Sequence, residues 1–186
     1  RRQRQMCIRD SYFVGNGIPK LVERLAPADQ RTPAVLEAAL ADFKRDYGQH
    51  LRDTTAPYPG IPEMLAKLKA NGVQLAVFSN KADALAKEVV KDYFGTQYFT
   101  IVRGQMTGVA PKPAAEGTNA LLQALHADPA STLYVGDSNV DVETAHNANL
   151  PCCGAVWGFR TREELNAAGA EYLAENSDEL YDVITK

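Results

Sequence analysis

The sequence predicts an α/β protein: a parallel sheet flanked by helices, preceded by a small helical unit. Three observations carry this. Beyond the break Pro57-Tyr58-Pro59-Gly60, helical and strand-like stretches alternate, the rhythm of a parallel sheet with helices on both faces. The strand-like stretches, such as Val73–Phe78 and Thr132–Val135, are apolar runs with little alternation, as in strands covered on both sides. Polar clusters follow directly on those runs, where open parallel sheets place their ligands.

Taken in order, Tyr12 to Leu25 gives a short apolar start, a Gly-Asn-Gly turn and a helix with Leu21, Val22 and Leu25 on one side. Asn16 and Gly17 suit the turn. Thr32 then caps a helix that has Pro33 at its first position. Leu36, Leu40, Phe43 and Tyr47 form its apolar stripe. The break at Pro57–Gly60 separates this unit, 12–56, from a core over 57–186. In the core, Ile61–Ala70 is a helix closed by Asn71-Gly72, and Val73–Phe78 is a buried strand. Ala82–Tyr93 is a helix, Tyr98–Val102 a short strand and Ala114–His126 a helix. Thr132–Val135 is a strand leading into Gly136-Asp137-Ser138. Val140–Asn149 is a helix, with Ser138 and Asp141 at capping-box spacing. Cys152–Val156 is a strand, Thr161 opens a helix with Glu164 three residues on, and Asp178–Ile184 is the last helix.

The chain has 186 residues, 45% of them hydrophobic, enough for one moderate domain and a small accessory unit. Acidic residues number 23 against 20 basic, for a net charge of −3. An acidic body without a basic stripe excludes nucleic acid as the expected partner, while one lysine can still dominate a closed pocket for a small anion. The cysteines, Cys7, Cys152 and Cys153, show no ligand-like spacing, and adjacent cysteines rarely pair. The chain reads as cytoplasmic and reduced. No apolar run is long enough to span a bilayer, so no membrane partner is expected.

Residues 1–11 read differently. Arg1 to Asp10 spell RRQRQMCIRD, basic where the body is acidic. The string is the translation of cgt cgg cag cgt cag atg tgt ata aga gac. That resembles the transposon adapter of short-read sequencing libraries, whose next bases would begin the Ser11 codon. The expectation is an adapter-derived tail, set aside in fold reasoning. The coding message then starts near Tyr12, with upstream sequence missing. A basic disordered tail is the competing reading.

Four polar positions fall at expected strand ends: Ser79, Lys112, Asp137 and Asp141. A carboxylate at a strand tip beside a helix N-terminus can hold Mg²⁺, a hard, oxygen-seeking cation. For Asp137 alone an ordinary turn aspartate competes. Asp141, four residues on, can reach the same ion directly or through water, or can cap the helix. Ser79 can donate to a phosphate oxygen, or act as a simple N-cap. Lys112 can neutralise a phosphate and an acidic pocket, and flanking Pro111 and Pro113 weaken the reading as a mobile surface lysine. Met64 and Met106 read as packing. His50, His126 and His146 share no spacing, and Cys152-Cys153 packs in or beside a strand.

Together, Phe78-Ser79-Asn80, Lys112 and Gly136-Asp137-Ser138-Asn139-Val140-Asp141 resemble the second, third and fourth motifs of the haloacid-dehalogenase superfamily of phosphohydrolases. Order and strand placement both fit. Val14-Gly15-Asn16-Gly17 with Leu21 to Leu25, the return Tyr58-Pro59-Gly60, and Trp157-Gly158-Phe159-Arg160-Thr161 to Gly169-Ala170 resemble phosphoglycolate phosphatases within it. The resemblance implies a Rossmann-like parallel sheet with a small helical cap. It also implies a first motif, DxDGT, at the end of a central strand upstream of Tyr12. No such motif stands in this chain. The absent strand's neighbours, Val73–Phe78 and Thr132–Val135, are then expected to have open edges, and the chain by itself to be inactive.

By the same resemblance the complete enzyme hydrolyses a small phosphorylated metabolite, 2-phosphoglycolate, through an aspartyl-phosphate. Ser79, Lys112 and Asp141 are the expected catalytic residues. Asp137 and Asp141 are the expected Mg²⁺ residues. Asn16, Gly17, Ser79, Asn80 and Lys112 are the expected substrate contacts, with the cap closing over the site. The alternatives are a sugar phosphatase, a phosphoglucomutase-like enzyme, a pyrophosphatase or a haloacid-processing relative. A further one is a nonenzymatic binding relative that has lost its nucleophile. The upstream sequence discriminates: an intact DxDGT supports the enzyme, and a natural start near Tyr12 supports the binder.

Overall fold

The computed structural model describes residue 13 and residues 17–186. The tail reading and Asn16 lie outside the described residues. The chain divides into two compact units, the first ending at Thr55 and the second spanning Ala56–Lys186.

In the first unit, α1 (Ile18–Leu25) begins after Gly17, whose φ of 83° is one that glycine tolerates, and has Pro19 in its first turn. α2 (Pro33–Gln49) is capped by Thr32, whose side chain accepts from Val35 N. Its expected apolar stripe is only half-buried, with Phe43 and Tyr47 stacked at 5.4 Å between ring centroids. Val22 and Leu51 are the buried apolar side chains here among the described residues.

The second unit runs α3 (Ile61–Ala70), β1 (Ala76–Ala82), α4 (Asp83–Phe94), β2 (Ile101–Gln105), α5 (Glu116–Leu125), β3 (Tyr134–Gly136), α6 (Asn139–Asn147), β4 (Cys152–Ala155), α7 (Arg162–Ala167), β5 (Tyr172–Ala174) and α8 (Ser177–Thr185). α3 matches its expected bounds and ends at Asn71, with Gly72 at φ 77°. Thr161 and Glu164 form a full capping box for α7. Ser138 does not cap α6 in this way. Its hydroxyl donates to the Asp141 carboxylate at 2.6 Å, so the spacing serves a side-chain pair. β1 starts later than the apolar run predicted and continues through Ser79-Asn80-Lys81. β5 was not anticipated, because three residues are too few for any periodicity to show.

All strand pairs are parallel, β1 with β2, β3 with β4 and β4 with β5. The sheet is in two pieces, β1-β2 and β3-β4-β5. Side chains alternate across β4. Cys153 packs with Leu65, Leu68 and Leu180 on one face, and Cys152 with Val142, Ala145 and Leu165 on the other. Both thiols are fully buried and unpaired. Between the two pieces lies a cavity of about 920 Å³, lined by Leu68, Phe78, Leu121, Leu133, Tyr134 and Leu180 among others. It is bounded by β1 and β3, each of which has an edge without a partner among the described residues.

Candidate active site

β1 and β3 end close together, and Lys112 sits between their tips. Its Nζ lies 5.8 Å from the Phe78 ring centroid and 6.0 Å from that of Tyr134. β1 pairs regularly with β2 as far as Phe78↔Arg103, then resumes only at Ala82↔Gln105. Ser79-Asn80-Lys81 therefore bulge out of the ladder, a device that re-aims side chains at a strand end. Asn80 uses the bulge to grip the Lys112 main chain. Lys112 N donates to its Oδ1 at 2.8 Å, and its Nδ2 donates to Lys112 O at 3.2 Å. The Ser79 hydroxyl oxygen accepts from Lys81 N at 3.1 Å.

The lysine ammonium, 12% exposed, donates to Asp141 Oδ1 at 2.6 Å. The other Asp141 oxygen accepts from Ser138 Oγ and from Asp137 N at 3.2 Å. This close approach requires Gly136, where an ideal Cβ would lie 2.8 Å from Asp141 Oδ2 and nearer still to its Cβ. Burial pulls the Lys112 ammonium down, but the facing Asp141 carboxylate and the Tyr134 side chain together more than offset it, and the net shift is upward. Burial, then the Asp141 charge, holds the Asp137 carboxyl above the usual range. Burial pushes the Tyr134 phenol up to about 12.

Asp137 accepts one bond on Oδ2, from Phe159 N at 3.2 Å. Its Oδ1 accepts none from another residue among the described ones. The donor chemistry suits Mg²⁺, which takes one or two carboxylates and keeps its waters. Asp137 has an oxygen available, and both Asp141 oxygens are engaged. Among the described residues no group of three or more His, Cys, Asp or Glu side chains converges.

Ser79, Asn80, Lys112, Asp137 and Asp141 thus share one end of the second unit, while Gly17 is the residue before α1 in the first. The Gly158-Phe159-Arg160 loop was not singled out by residue chemistry. Its contacts with Asp137 are backbone bonds, which leave no pattern in side-chain identity.

The family description of haloacid dehalogenase-like hydrolases matches residues 11–155. This chain belongs to that family. Among its relatives is a phosphoglycolate phosphatase of Neisseria meningitidis, 30% identical over 91% of this chain and 75% of its own length. A plasmid-borne phosphoglycolate phosphatase of Cupriavidus necator is 31% identical over 93% of this chain and 75% of its own length. The crystal structure of a Lactobacillus delbrueckii protein with a provisional phosphoglycolate phosphatase name superposes with a TM-score of 0.88. It is 26% identical and covers 97% of this chain and 84% of that one. CbbY from Rhodobacter sphaeroides, solved with phosphate, shares the fold at a TM-score of 0.72 and 22% identity, over 92% of this chain and 78% of that one. The bulged Ser79-Asn80, the buried Lys112–Asp141 pair and the Asp137 tip are therefore features of a hydrolase of this family.

Proposed function

We propose that this hydrolase is a Mg²⁺-dependent phosphomonoesterase acting on 2-phosphoglycolate, with its nucleophilic aspartate supplied by chain upstream of Tyr12. The observation that carries the reading is the buried Lys112–Asp141–Asp137 network at the tips of β1 and β3, beside the cavity that separates them. A further parallel strand between β1 and β3 would have both edges paired and would end at Lys112. A carboxylate at its tip would face the lysine and Asp137.

In this reading Asp137 would hold Mg²⁺, which when bound would supply neutralisation of the phosphate charge and alignment of the phosphoryl group. Lys112 Nζ donates to a phosphoryl oxygen as charge develops there, and Asn80 fixes the lysine's backbone so that the donor is in place beforehand. Asp141 holds Lys112 and the Asp137 main chain, orienting both while contacting neither phosphate nor metal itself. The Ser79 hydroxyl, at the bulge, donates to another phosphoryl oxygen. The upstream carboxylate would attack phosphorus, forming an acyl phosphate as the ester P–O bond breaks and the departing oxygen takes a proton from solvent; water would then cleave the acyl phosphate, freeing the carboxylate and inorganic phosphate.

The test is phosphate release from 2-phosphoglycolate by the chain with its genomic upstream segment restored. Magnesium-dependent turnover is expected, with Lys112→Ala lowering kcat by about 10²–10³, the usual cost of one transition-state donor. The 186-residue chain is expected to release no phosphate. Higher kcat/KM for a hexose phosphate or pyrophosphate than for 2-phosphoglycolate would overturn the substrate. Turnover insensitive to chelation would overturn the metal.

A further inference from the structure

We propose that the loop Gly158–Arg160, which follows β4, is a clamp that sets the rotamer of Asp137 and leaves Oδ1 free for a divalent cation. The inference rests on the reading of Asp137 as a metal residue and names the part that prepares it. Three observations converge on one aspartate, and a fourth ties the loop to itself. Phe159 N donates to Asp137 Oδ2 at 3.2 Å. Arg160 N donates to the Asp137 main-chain oxygen at 3.1 Å. An ideal Cβ at Gly158 would lie 2.7 Å from Asp137 Cγ and nearer still to its Cβ. Arg160 is only 9% exposed, and its Nη1 donates to Phe159 O at 3.2 Å, tying the loop to itself.

The topology explains why this loop has that position. β4 lies beside β3 and parallel to it, with Gly136 paired to Gly154. The chain leaving β4 therefore passes over the tip of β3, where Asp137 stands. Gly158 N donates to Ala155 O at 3.2 Å, so the chain turns at once and brings two successive N–H groups, at Phe159 and Arg160, back onto Asp137. One holds the carboxylate and the other the peptide, which fixes the side chain against its own backbone. Gly158 is required because the carboxylate of Asp137 occupies the space a side chain would fill. A carboxylate fixed through one oxygen presents the other without rotamer entropy to lose on binding, the general advantage of a supported ligand.

The clamp separates two properties of Asp137 that substitutions can read independently. In Asp137→Asn the amide oxygen still accepts from Phe159 N, but the negative charge is gone. In Asp137→Ala the acceptor is gone too. In Gly158→Ala the carboxylate remains but is pushed from its place.

The experiment uses the full chain, with Mn²⁺ as the probe, counted by electron paramagnetic resonance of the free ion, and amide hydrogen exchange on the metal-free protein. Wild type is expected to bind Mn²⁺, Gly158→Ala to bind at least about tenfold more weakly, as for second-layer ligand supports, and Asp137→Asn to bind none. The Phe159 amide is expected to exchange at wild-type rate in Asp137→Asn and at least about tenfold faster in Asp137→Ala, the factor for about 1.4 kcal/mol. The Arg160 amide should stay protected in both, because its acceptor is main chain. Wild-type Mn²⁺ affinity in Gly158→Ala would overturn the clamp. So would an unchanged Phe159 rate in Asp137→Ala, a measurement that stands even if Gly158→Ala fails to fold. Equal Mn²⁺ binding by wild type and Asp137→Asn, or no binding by wild type, would overturn the metal reading, and the exchange rates would still decide whether the loop holds Asp137.

Discussion

The two sides of β3 differ in how they treat polar groups. On the β4 side, the fully buried Thr144 donates to Val140 O, and Leu165, Cys152 and Val142 leave no solvent-exposed surface. Along the β1–β3 cavity the opposite holds. Thr118 Oγ1 and Tyr134 Oη, the buried side-chain polar atoms without a hydrogen-bond partner among the described residues, both belong to residues lining it. Buried polar groups are rarely left unpaired. The difference shows that one half is a finished core and the other a core with a place still open. The candidate site groups stand at the boundary, held by bonds that do not depend on closing the gap: Asn80 on Lys112, Lys112 on Asp141, and Asp141 on Asp137 N.

Lys112→Met would break the comparison most severely. It leaves the Asp141 carboxylate, 9% exposed in its side chain, without its cation. Removing one partner of a buried pair costs about 3–5 kcal/mol, a large share of a domain stability of about 5–15 kcal/mol. Urea unfolding of Lys112→Met and of the double variant Lys112→Met/Asp141→Leu checks this, since the double variant should recover part of the loss. The folded Lys112 pKa lies above its unfolded value. Its stabilisation is therefore fully present below the unfolded value and disappears as pH rises through the folded one. The wild-type advantage over Lys112→Met should persist at neutral pH and shrink only in strong alkali.

A matched pair sharpens the contrast between the halves. Leu165→Ala, in the finished core, should cost about 2–5 kcal/mol through lost burial and a cavity. Val135→Thr, at a β3 position 39% exposed, should stay within about 0.5 kcal/mol. Similar urea midpoints for the two variants would show that the halves are packed alike.

Asp137→Asn tests the boundary with a smaller effect of opposite sign. Burial and the Asp141 charge place the folded Asp137 pKa above the unfolded one. The folded metal-free protein therefore binds that proton more tightly, and the ionised group becomes a growing cost as pH rises from the unfolded value through the folded one. The asparagine should raise the metal-free Tm at neutral pH, by roughly 2–4 °C for each kcal/mol relieved at this size. The gain should vanish in acid below the unfolded value.

Where these contrasts were legible in sequence has a physical pattern. Ser79 and Asp137 were found because each lies at the end of an apolar run, and strand tips are where a parallel sheet exposes its polar groups; Lys112 was found by its flanking Pro111 and Pro113, and Asp141 by its spacing of four from Asp137. Helix starts at Thr32 and Thr161 were legible because capping is local. The start of β1 was misplaced because Val73-Gln74-Leu75 is as apolar as a strand without pairing as one, and the bulge at 79–81 has no sequence mark of its own. The Phe159–Asp137 bond was illegible because it joins a backbone N–H to a carboxylate 22 residues away, where neither side-chain type nor spacing encodes the contact.

Tyr134→Phe carries the smallest expected effect and probes the open half directly. The Tyr134 hydroxyl is buried with no hydrogen bond of ordinary geometry among the described residues, so folding withdraws it from water with little return beyond the nearby Lys112 ammonium. A hydroxyl in that state costs about 1–3 kcal/mol by the measure of protein mutations, while the ring's packing beside Lys112 survives in phenylalanine. In the 186-residue chain, Tyr134→Phe should therefore be neutral or stabilising, by up to about 1 kcal/mol. With the upstream segment restored, the sign should move toward destabilisation if that segment gives the hydroxyl a partner, since losing a satisfied bond costs about 0.5–1.5 kcal/mol. Thr118→Val, at the other unpaired hydroxyl, should follow the same two-sided course, whereas Thr144→Val in the finished half should destabilise both forms alike. Equal and unfavourable effects of Tyr134→Phe in both forms would mean that the hydroxyl is already satisfied without the upstream chain, and that the two halves differ less than their hydrogen bonding indicates.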